Sequence, residues 1–458
     1  AHAYSWTYRD VMTTGNQDGW TTVAFDSTGK PGVANWRQDT GSLEYAKWNG
    51  STWDIETVDT VGFYSGRWAS LIFNASDQAL ISYVRDNSGS TDLFLGFAKR
   101  VGSGGTGCNV ATWTCETVDN PSVDIKYTSI KLVNGVEAIA YSTSADDLKY
   151  AIKDSGNTGC TSGSGNWTCE AVDTTGNVGR GAHLAVTSGN IPAIAYLDVT
   201  NARWKYAIRN AGSGCASANW TCEIVVSALV PSDVDNTLSG FAFDSNNIAG
   251  FAYQTTGSGN PLYLATRTSG SGCTSASWTC EIVALKGSEH SALIYSGTTP
   301  YLVFGETGVT LRLKVKTNSK WREELIDGCV LGCNDSNSIG LYIDIAKTGN
   351  TIGIVSQDST NRDTQYFQTD ISTLPTAASF TLSAIESGAS NLGRENDIAF
   401  DSAGLPGVVY KDATAGSVKY AKYNGSSWTI ETVKSGSSAG DMPSITFDGS
   451  DIPHIAFD

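Results

Sequence analysis

The stretch GNWTCEAVD, residues 165–173, recurs with small changes as ATWTCETVD (111–119), ANWTCEIVV (218–226) and ASWTCEIVA (276–284). Two further copies lack the cysteine: STWDIETVD (51–59) and SSWTIETVK (426–434). Apolar and polar residues alternate behind a leading tryptophan, the pattern of a half-buried strand. Repetition of such a unit decides architecture before any other signal, because one unit cannot bury its apolar faces alone.

Aligned on this stretch, the repeats place Trp6, Trp53, Trp113, Trp167, Trp220, Trp278, Trp321 and Trp428 in register, with Phe380 of ASFTLSAIES filling the last gap. A second phrase precedes it, as in SLEYAKWNG, DLKYAIKDS, RWKYAIRNA and SVKYAKYNG. A third follows it, as in TTVAFDSTGKPGVANW, HLAVTSGNIPAIAYLD and DIAFDSAGLPGVVYKD. Each unit of 43 to 60 residues therefore reads as four short strands, a to d, separated by Gly, Asn, Asp and Pro turns. Asn49-Gly50 and Asn424-Gly425 mark tight c–d hairpins.

Four antiparallel strands per unit, at this period, predict an all-β fold, a β-propeller of four-stranded antiparallel blades. Packed radially, each sheet covers its neighbour. Strands a, b and d occur nine times and strand c eight times; the chain opens on a d strand and stops after an a–b pair. The expectation is one propeller domain over residues 1–458 with nine blades, eight being the alternative, and one blade shared between the N- and C-termini. The missing c strand leaves an incomplete terminal blade, through which self-association into a fibre is an open reading.

The phrase YAKWNGSTWDIETV resembles the aromatic hairpins of bacterial and fungal propeller lectins. FDSAGLPGVVYKD resembles repeats of secreted sialidase-like and surface propellers. The resemblance implies the fold, and sugars held between blades by aromatic stacking with an arginine or acidic side chain. No sugar-binding set transfers residue by residue. The sialidase Asp-box, S-x-D-x-G-x-x-W, is not reproduced, since the FDSTGKP turns lack its tryptophan.

A net charge of -16 repels nucleic-acid backbones and anionic membrane surfaces, and no apolar run reaches the length of a membrane helix. The ten cysteines form five close pairs: Cys108 with Cys115, Cys160 with Cys169, Cys215 with Cys222, Cys273 with Cys280, and Cys329 with Cys333. These spacings suit local disulfides better than zinc, which needs two converging CxxC-like pairs. Disulfides place the protein in an oxidising compartment, so it reads as secreted or displayed at the cell surface. The opening AHAYSW fits the Ala-x-Ala that a signal peptidase prefers.

In a propeller the d–a and b–c connections surround one mouth of the central channel. Basic residues recur there: Arg67, Lys126, Arg180 and Arg394. Three residues further on stand Ser70, Ser129, His183 and Asp397. The candidate ligand set is Arg67, Lys126, Arg180, His183, Arg394 and Asp397, a collar suited to a carboxylate, a sulfate or a uronic acid. The competing structural reading pairs Arg67 with Asp86, Arg180 with Asp198 and Arg394 with Asp412. No HExxH or G-x-S-x-G motif is present. Asp124, Glu289, Glu306 and Glu395 leave a glycosidase pair open without singling out two. No catalytic residue, metal site or cofactor is predicted, beyond weak calcium binding at turns such as FDSTG and FDGSD. The expected role is an extracellular binding or structural module whose partner is a glycan or an extracellular protein. The alternatives are a glycan hydrolase or lyase acting at the channel mouth, and a fibre or surface-layer subunit.

Overall fold

The computed structural model describes residues 4–458 apart from 18, 61, 63, 87–92, 146, 162, 164–165, 228–239, 256–259, 288–289, 307–309, 329–338, 359, 374–384, 387–391 and 437–442; for 328, 339, 373 and 393–395 it describes the backbone alone. The chain separates into two compact units, Ala1–Leu374 and Pro375–Asp458. The described residues are all-β, with eight four-stranded antiparallel sheets, one two-stranded sheet and one short 3-10 turn at Ile371–Thr373. No helix is long and apolar enough to cross a membrane.

Seven of the four-stranded sheets lie in the first unit. Their innermost strands are Thr22–Phe25, Arg67–Phe73, Ile125–Val133, Val178–Val186, Phe241–Phe243, Ser291–Ser296 and Ile339–Thr348. Each of these touches the next in this order, and the seventh touches the first, so the strands form a ring. The first six sheets run a-b-c-d in chain order. In the seventh the outermost strand is Thr7–Met12, paired antiparallel with Asp363–Asp370. The N-terminal d strand does complete another segment's blade, as the repeat count implies. Its partner, however, is residue 363–370 and not the a–b pair near residue 458. The physical reason is complementarity at the free edge: Asp363–Asp370 leaves its ladder open, Tyr8 packs on Phe367 at 5.4 Å, and Trp6 Nε1 donates to Glu324 of the sixth sheet at 3.3 Å. The ring expected over 1–458 thus closes within the first unit.

The quoted nonamer now has a mechanical meaning: it latches each sheet to the next. Its glutamate accepts from the following sheet's tryptophan, as Glu56 does from Trp113 Nε1 (2.6 Å), Glu116 from Trp167 (3.0 Å) and Glu170 from Trp220 (2.7 Å). A cation of that following sheet joins each: Arg100, Lys153 and Arg209. The terminal aspartate forms a second latch. Asp59 accepts from Tyr83 (2.6 Å) and pairs with Arg85 (2.7 Å), Asp119 takes Tyr141 (2.6 Å) and Lys149 (2.7 Å), and Asp173 takes Tyr196 (2.7 Å) and Lys205. These aspartates are fully buried, so pairing with a cation and a hydroxyl is what makes their charge tolerable there. Between the two latches, a c-strand aromatic ring meets the next tryptophan edge-on: Tyr45 on Trp113, Phe97 on Trp167, Tyr150 on Trp220 and Tyr206 on Trp278. Tyr366 on Trp53 repeats this contact from the seventh sheet to the first, across the seam of the ring.

Four disulfides close the c–d loops at Cys108–Cys115, Cys160–Cys169, Cys215–Cys222 and Cys273–Cys280. They mark an oxidising compartment. Cys329 and Cys333 lie outside the described residues, as do Phe380 and Glu289. Where the cysteine is missing the turn itself does the holding: Asn49 Oδ1 accepts from the amides of Ser51 and Thr52, and Asn424 Oδ1 from those of Ser426 and Ser427.

The second unit contains a sheet of Leu392–Phe400, Pro406–Asp412, Ser417–Tyr423 and Trp428–Ser435, and a two-stranded sheet of Ser444–Phe447 with Pro453–Ala456. It reuses the same parts. Glu386 occupies the latch-aspartate position, accepting from Tyr410 (2.6 Å) and pairing with Lys419 (2.6 Å).

Candidate functional site

The ring encloses a channel of about 540 Å³, lined by residues from all seven inner strands. Three tiers follow from the period of two along a strand.

The first tier is aromatic. Trp20, Trp68, Tyr127 and Tyr342 occupy equivalent positions and share a left-handed backbone, with φ of 54°, 50°, 52° and 47°. Such a conformation costs a bulky L-residue roughly 1–2 kcal/mol. The ladder register shifts at this point in the second, third and seventh sheets, so a β-bulge delivers each ring there. The rings form a continuous arc. His290 meets Tyr342 at 4.5 Å, Tyr342 meets Trp20 at 5.2 Å, Trp20 meets Trp68 at 5.1 Å, and Trp68 meets Tyr127 at 5.4 Å. Trp36 packs behind Trp20. The indole N–H groups of Trp20, Trp36 and Trp68 and both ring nitrogens of His290 are buried without a hydrogen-bond partner among the described residues.

The second tier is polar and ties the sheets together. Thr22 Oγ1 accepts from the Leu71 amide (3.2 Å), Ser70 Oγ from Ile130 (3.2 Å) and Ser129 Oγ from Leu184 (3.0 Å). Asp344 Oδ2 accepts from the Val23 amide (2.9 Å) and Thr22 Oγ1 (2.8 Å), and Oδ1 from the Ile345 amide. In the fourth sheet this position is His183, whose Nε2 is buried without a partner. Burial, reinforced by the charge of Lys131, brings the His183 imidazole down to about 4, so it is neutral at neutral pH. The third tier is small and aliphatic except for Lys131, whose ammonium burial pushes down against the pull of Asp344.

Of the sequence candidates, Arg67, Lys126, Arg180 and His183 fall on three consecutive inner strands of the first unit, and His183 lines the channel. Arg67 lies against the aromatic arc, its guanidinium 4.4 Å from Trp20, 5.0 Å from Trp36 and Trp68, and 5.1 Å from Tyr64. Antiparallel register sets it opposite Val84, and Arg180 opposite Leu197. Arg394 and Asp397 belong to the second unit. Asp397 is a staple: Oδ2 accepts from the Ile445 amide (3.0 Å) and Ser444 Oγ (2.8 Å), as Asp344 does in the ring. The Arg394 side chain lies outside the described atoms. The Asp26 and Asp448 turns cap themselves through backbone amides, and no group of three or more metal-ligating side chains occurs among the described residues. The aromatic arc and Lys131 were not singled out from sequence. The recurrence of Trp20, Trp68 and Tyr127 two residues before Thr22, Ser70 and Ser129 was the available signal.

No family model and no curated protein matches the chain. In structure it is similar to a virginiamycin B lyase from Staphylococcus aureus (TM-score 0.48, 14% identity, 80% of this chain and 99% of that one). It is also similar to AofleA from Arthrobotrys oligospora (0.36, 10%, 94% and 91%) and to a GH93 alpha-L-arabinofuranosidase of Fusarium graminearum complexed with arabinobiose (0.43, 10%, 80% and 98%). The similarity is one of propeller-like fold.

Proposed function

We propose that the seven sheets of residues 1–374 are the blades of a closed extracellular propeller that binds carbohydrate at the mouth of its channel. The observation that carries this reading is the arc of Trp20, Trp68 and Tyr127 on the channel wall, held in strained backbone with indole donors unpartnered. Strain of this kind persists where surroundings over-determine a geometry, typically at ligand clamps. Aromatic faces with a few polar donors, around a volume within the usual pocket range, suit a ring with apolar faces and hydroxyl edges. Binding is favoured over hydrolysis. A glycosidase needs two carboxyl groups, and Asp344, the one carboxylate among the described lining residues, has both oxygens engaged. Residues 375–458 supply a further four-stranded sheet and an a–b pair of the same repeat.

A glycan array probed with the full chain, followed by calorimetry on the hits, tests this. Trp68→Phe keeps the packing and removes the N–H, and is expected to weaken binding about tenfold with an unchanged melting temperature. Silence across the array, or hits indifferent to Trp68→Phe and Trp20→Phe alike, would overturn the reading.

A further inference from the structure

We propose that the second unit is a docking site for a β-hairpin of a partner polypeptide. The hairpin adds a c and a d strand beside Pro453–Ala456 and covers the exposed patch of Val433 and Phe457.

The interfaces of the ring show what this patch lacks. Five residues behind the leading tryptophan, the d strand carries Val58, Val118, Val172 and Val225 in the first four sheets, each 0% exposed. Each lies in one apolar cluster with an alanine of the following sheet's c strand and the tryptophan of its d strand. These are Ala98 and Trp113 for Val58, Ala151 and Trp167 for Val118, Ala207 and Trp220 for Val172, and Ala265 and Trp278 for Val225. Val433 holds this position in Trp428–Ser435 and is 39% exposed. Glu431, the counterpart of the latch residue Glu56, is exposed beside it. By register, Phe457 stands where Tyr83, Tyr141 and Tyr196 stand in the ring. Those tyrosines are fully buried in the clusters of Val58, Val118 and Val172, whereas Phe457 is 37% exposed.

The two-stranded sheet begins as a ring sheet does. Asp397 staples Ser444 and Ile445, and the Phe447 ring lies 4.5 Å from Lys422 Nζ, as Phe73 lies 4.3 Å from Lys47 Nζ. Ser444–Phe447 and Pro453–Ala456 are thus an a and a b strand, packed on the preceding sheet in the order of the ring. In every four-stranded sheet the b strand pairs on both sides, with a and with c. Pro453–Ala456 pairs with Ser444–Phe447 alone among the described residues. An open ladder edge beside uncovered apolar side chains invites strand addition.

Charge selects the hairpin. The aspartate that ends the d strand in the first three sheets is Lys434 here. Asp119 and Asp173 pair with Lys149 and Lys205, each two residues before the c-strand alanine of its cluster. With the sign reversed at Lys434, the occupant carries a carboxylate at that c-strand position. Phe457 agrees, having lost the hydroxyl that the aspartate would accept. The full pattern is an acid, an alanine two residues on, and a d-strand tryptophan to reach Glu431. SLEYAKWNGSTWDIETVD, residues 42–59, has it in Glu44, Ala46 and Trp53. Each described c strand of this chain already lies in a four-stranded sheet, which assigns the occupant to another polypeptide.

Fluorescence anisotropy of a labelled peptide of residues 42–59, titrated with the full chain, tests the site. The peptide is expected to bind wild type saturably, one per chain. Val433→Asp, at an exposed position, should abolish binding without lowering the melting temperature. Lys434→Glu should weaken it about tenfold, the worth of one charge-assisted contact. A peptide with Glu44→Lys should recover that loss on Lys434→Glu and bind wild type poorly, a reciprocal effect that a merely structural lysine would not give. No binding to wild type, or binding indifferent to Val433→Asp, overturns the inference. Sedimentation of the full chain alone examines the other occupant. A monomer supports the partner reading, and a dimer dissolved by Val433→Asp gives the patch to a second copy and overturns it.

Discussion

The sheet-to-sheet interfaces of the ring and its channel treat charged groups differently. At the sheet-to-sheet interfaces nearly every buried charge of the repeat has its partner: Asp119 holds Tyr141 and Lys149, and Glu116 holds Trp167 and Lys153. On the channel wall, Lys131, His183 Nε2 and the Trp20 and Trp68 indoles are left over. The first region is built for stability and the second carries its unsatisfied groups at a cost.

The comparison is broken most severely at a latch. Asp173→Ala strands the Lys205 ammonium and the Tyr196 hydroxyl in the interface, and is expected to cost about 3–5 kcal/mol in chemical denaturation. A loss under 1 kcal/mol would mean that the latches do not hold the ring. Removing a staple comes next. The double variant Cys160→Ser/Cys169→Ser frees a loop of sequence separation 9, for which the loop-entropy relation gives about 2.5 kcal/mol. The Asn-Gly hairpins offer the control, because reducing agent should leave local exchange at Asn49–Thr52 unchanged while raising it at the cysteine loops. On the channel side the sign reverses. Lys131→Met removes a half-buried ammonium that desolvation disfavours, and should raise stability by roughly 1 kcal/mol, read as a higher melting temperature. A fall would show that Lys131 is structural.

Acid sharpens the contrast least but most broadly. Burial raises the Glu56 and Glu170 carboxyls, yet hydrogen bonds outweigh it, from Arg100 and Trp113 to Glu56 and from Asn219, Trp220 and Arg209 to Glu170, and both are held below the usual range. A depressed folded value means that this stability is complete above the unfolded value of about 4.3 and is lost as pH falls through the folded one. Melting temperature should therefore drop steadily below about pH 4, and Glu170→Gln should flatten part of that slope. An unchanged slope in that variant would remove Glu170 from the latch.

Much of the frame was legible in the chain. The nonamer announced four-stranded repeats, the spacing of Cys108/Cys115 and its kin announced disulfides, and the Asn-Gly turns announced the uncapped hairpins. Even the weakening of the latches can be read: the aspartate of WTCETVD becomes Val226 and Ala284 in the fourth and fifth sheets, where no such pair forms among the described residues. Glu170 is clamped by the next sheet's Trp220, a contact that alternation along the strand does not show. Arg67, expected as a ligand arginine or a partner of Asp86, lies among four aromatic rings.

Sequence by itself determined the strand pattern, the repeat unit, the staples and the compartment, because alternation, turn chemistry and cysteine spacing are local properties of the chain. Only the tertiary structure decided where the ring closes and which groups face its channel. Closure depends on which open ladder edge captures Thr7–Met12, a choice between segments hundreds of residues apart that local pattern cannot rank. The channel's character depends on tiers contributed by seven strands. Lys131 is unremarkable along the chain and comes to line the same channel as His183, Trp20, Trp68 and Tyr127 only in the closed ring.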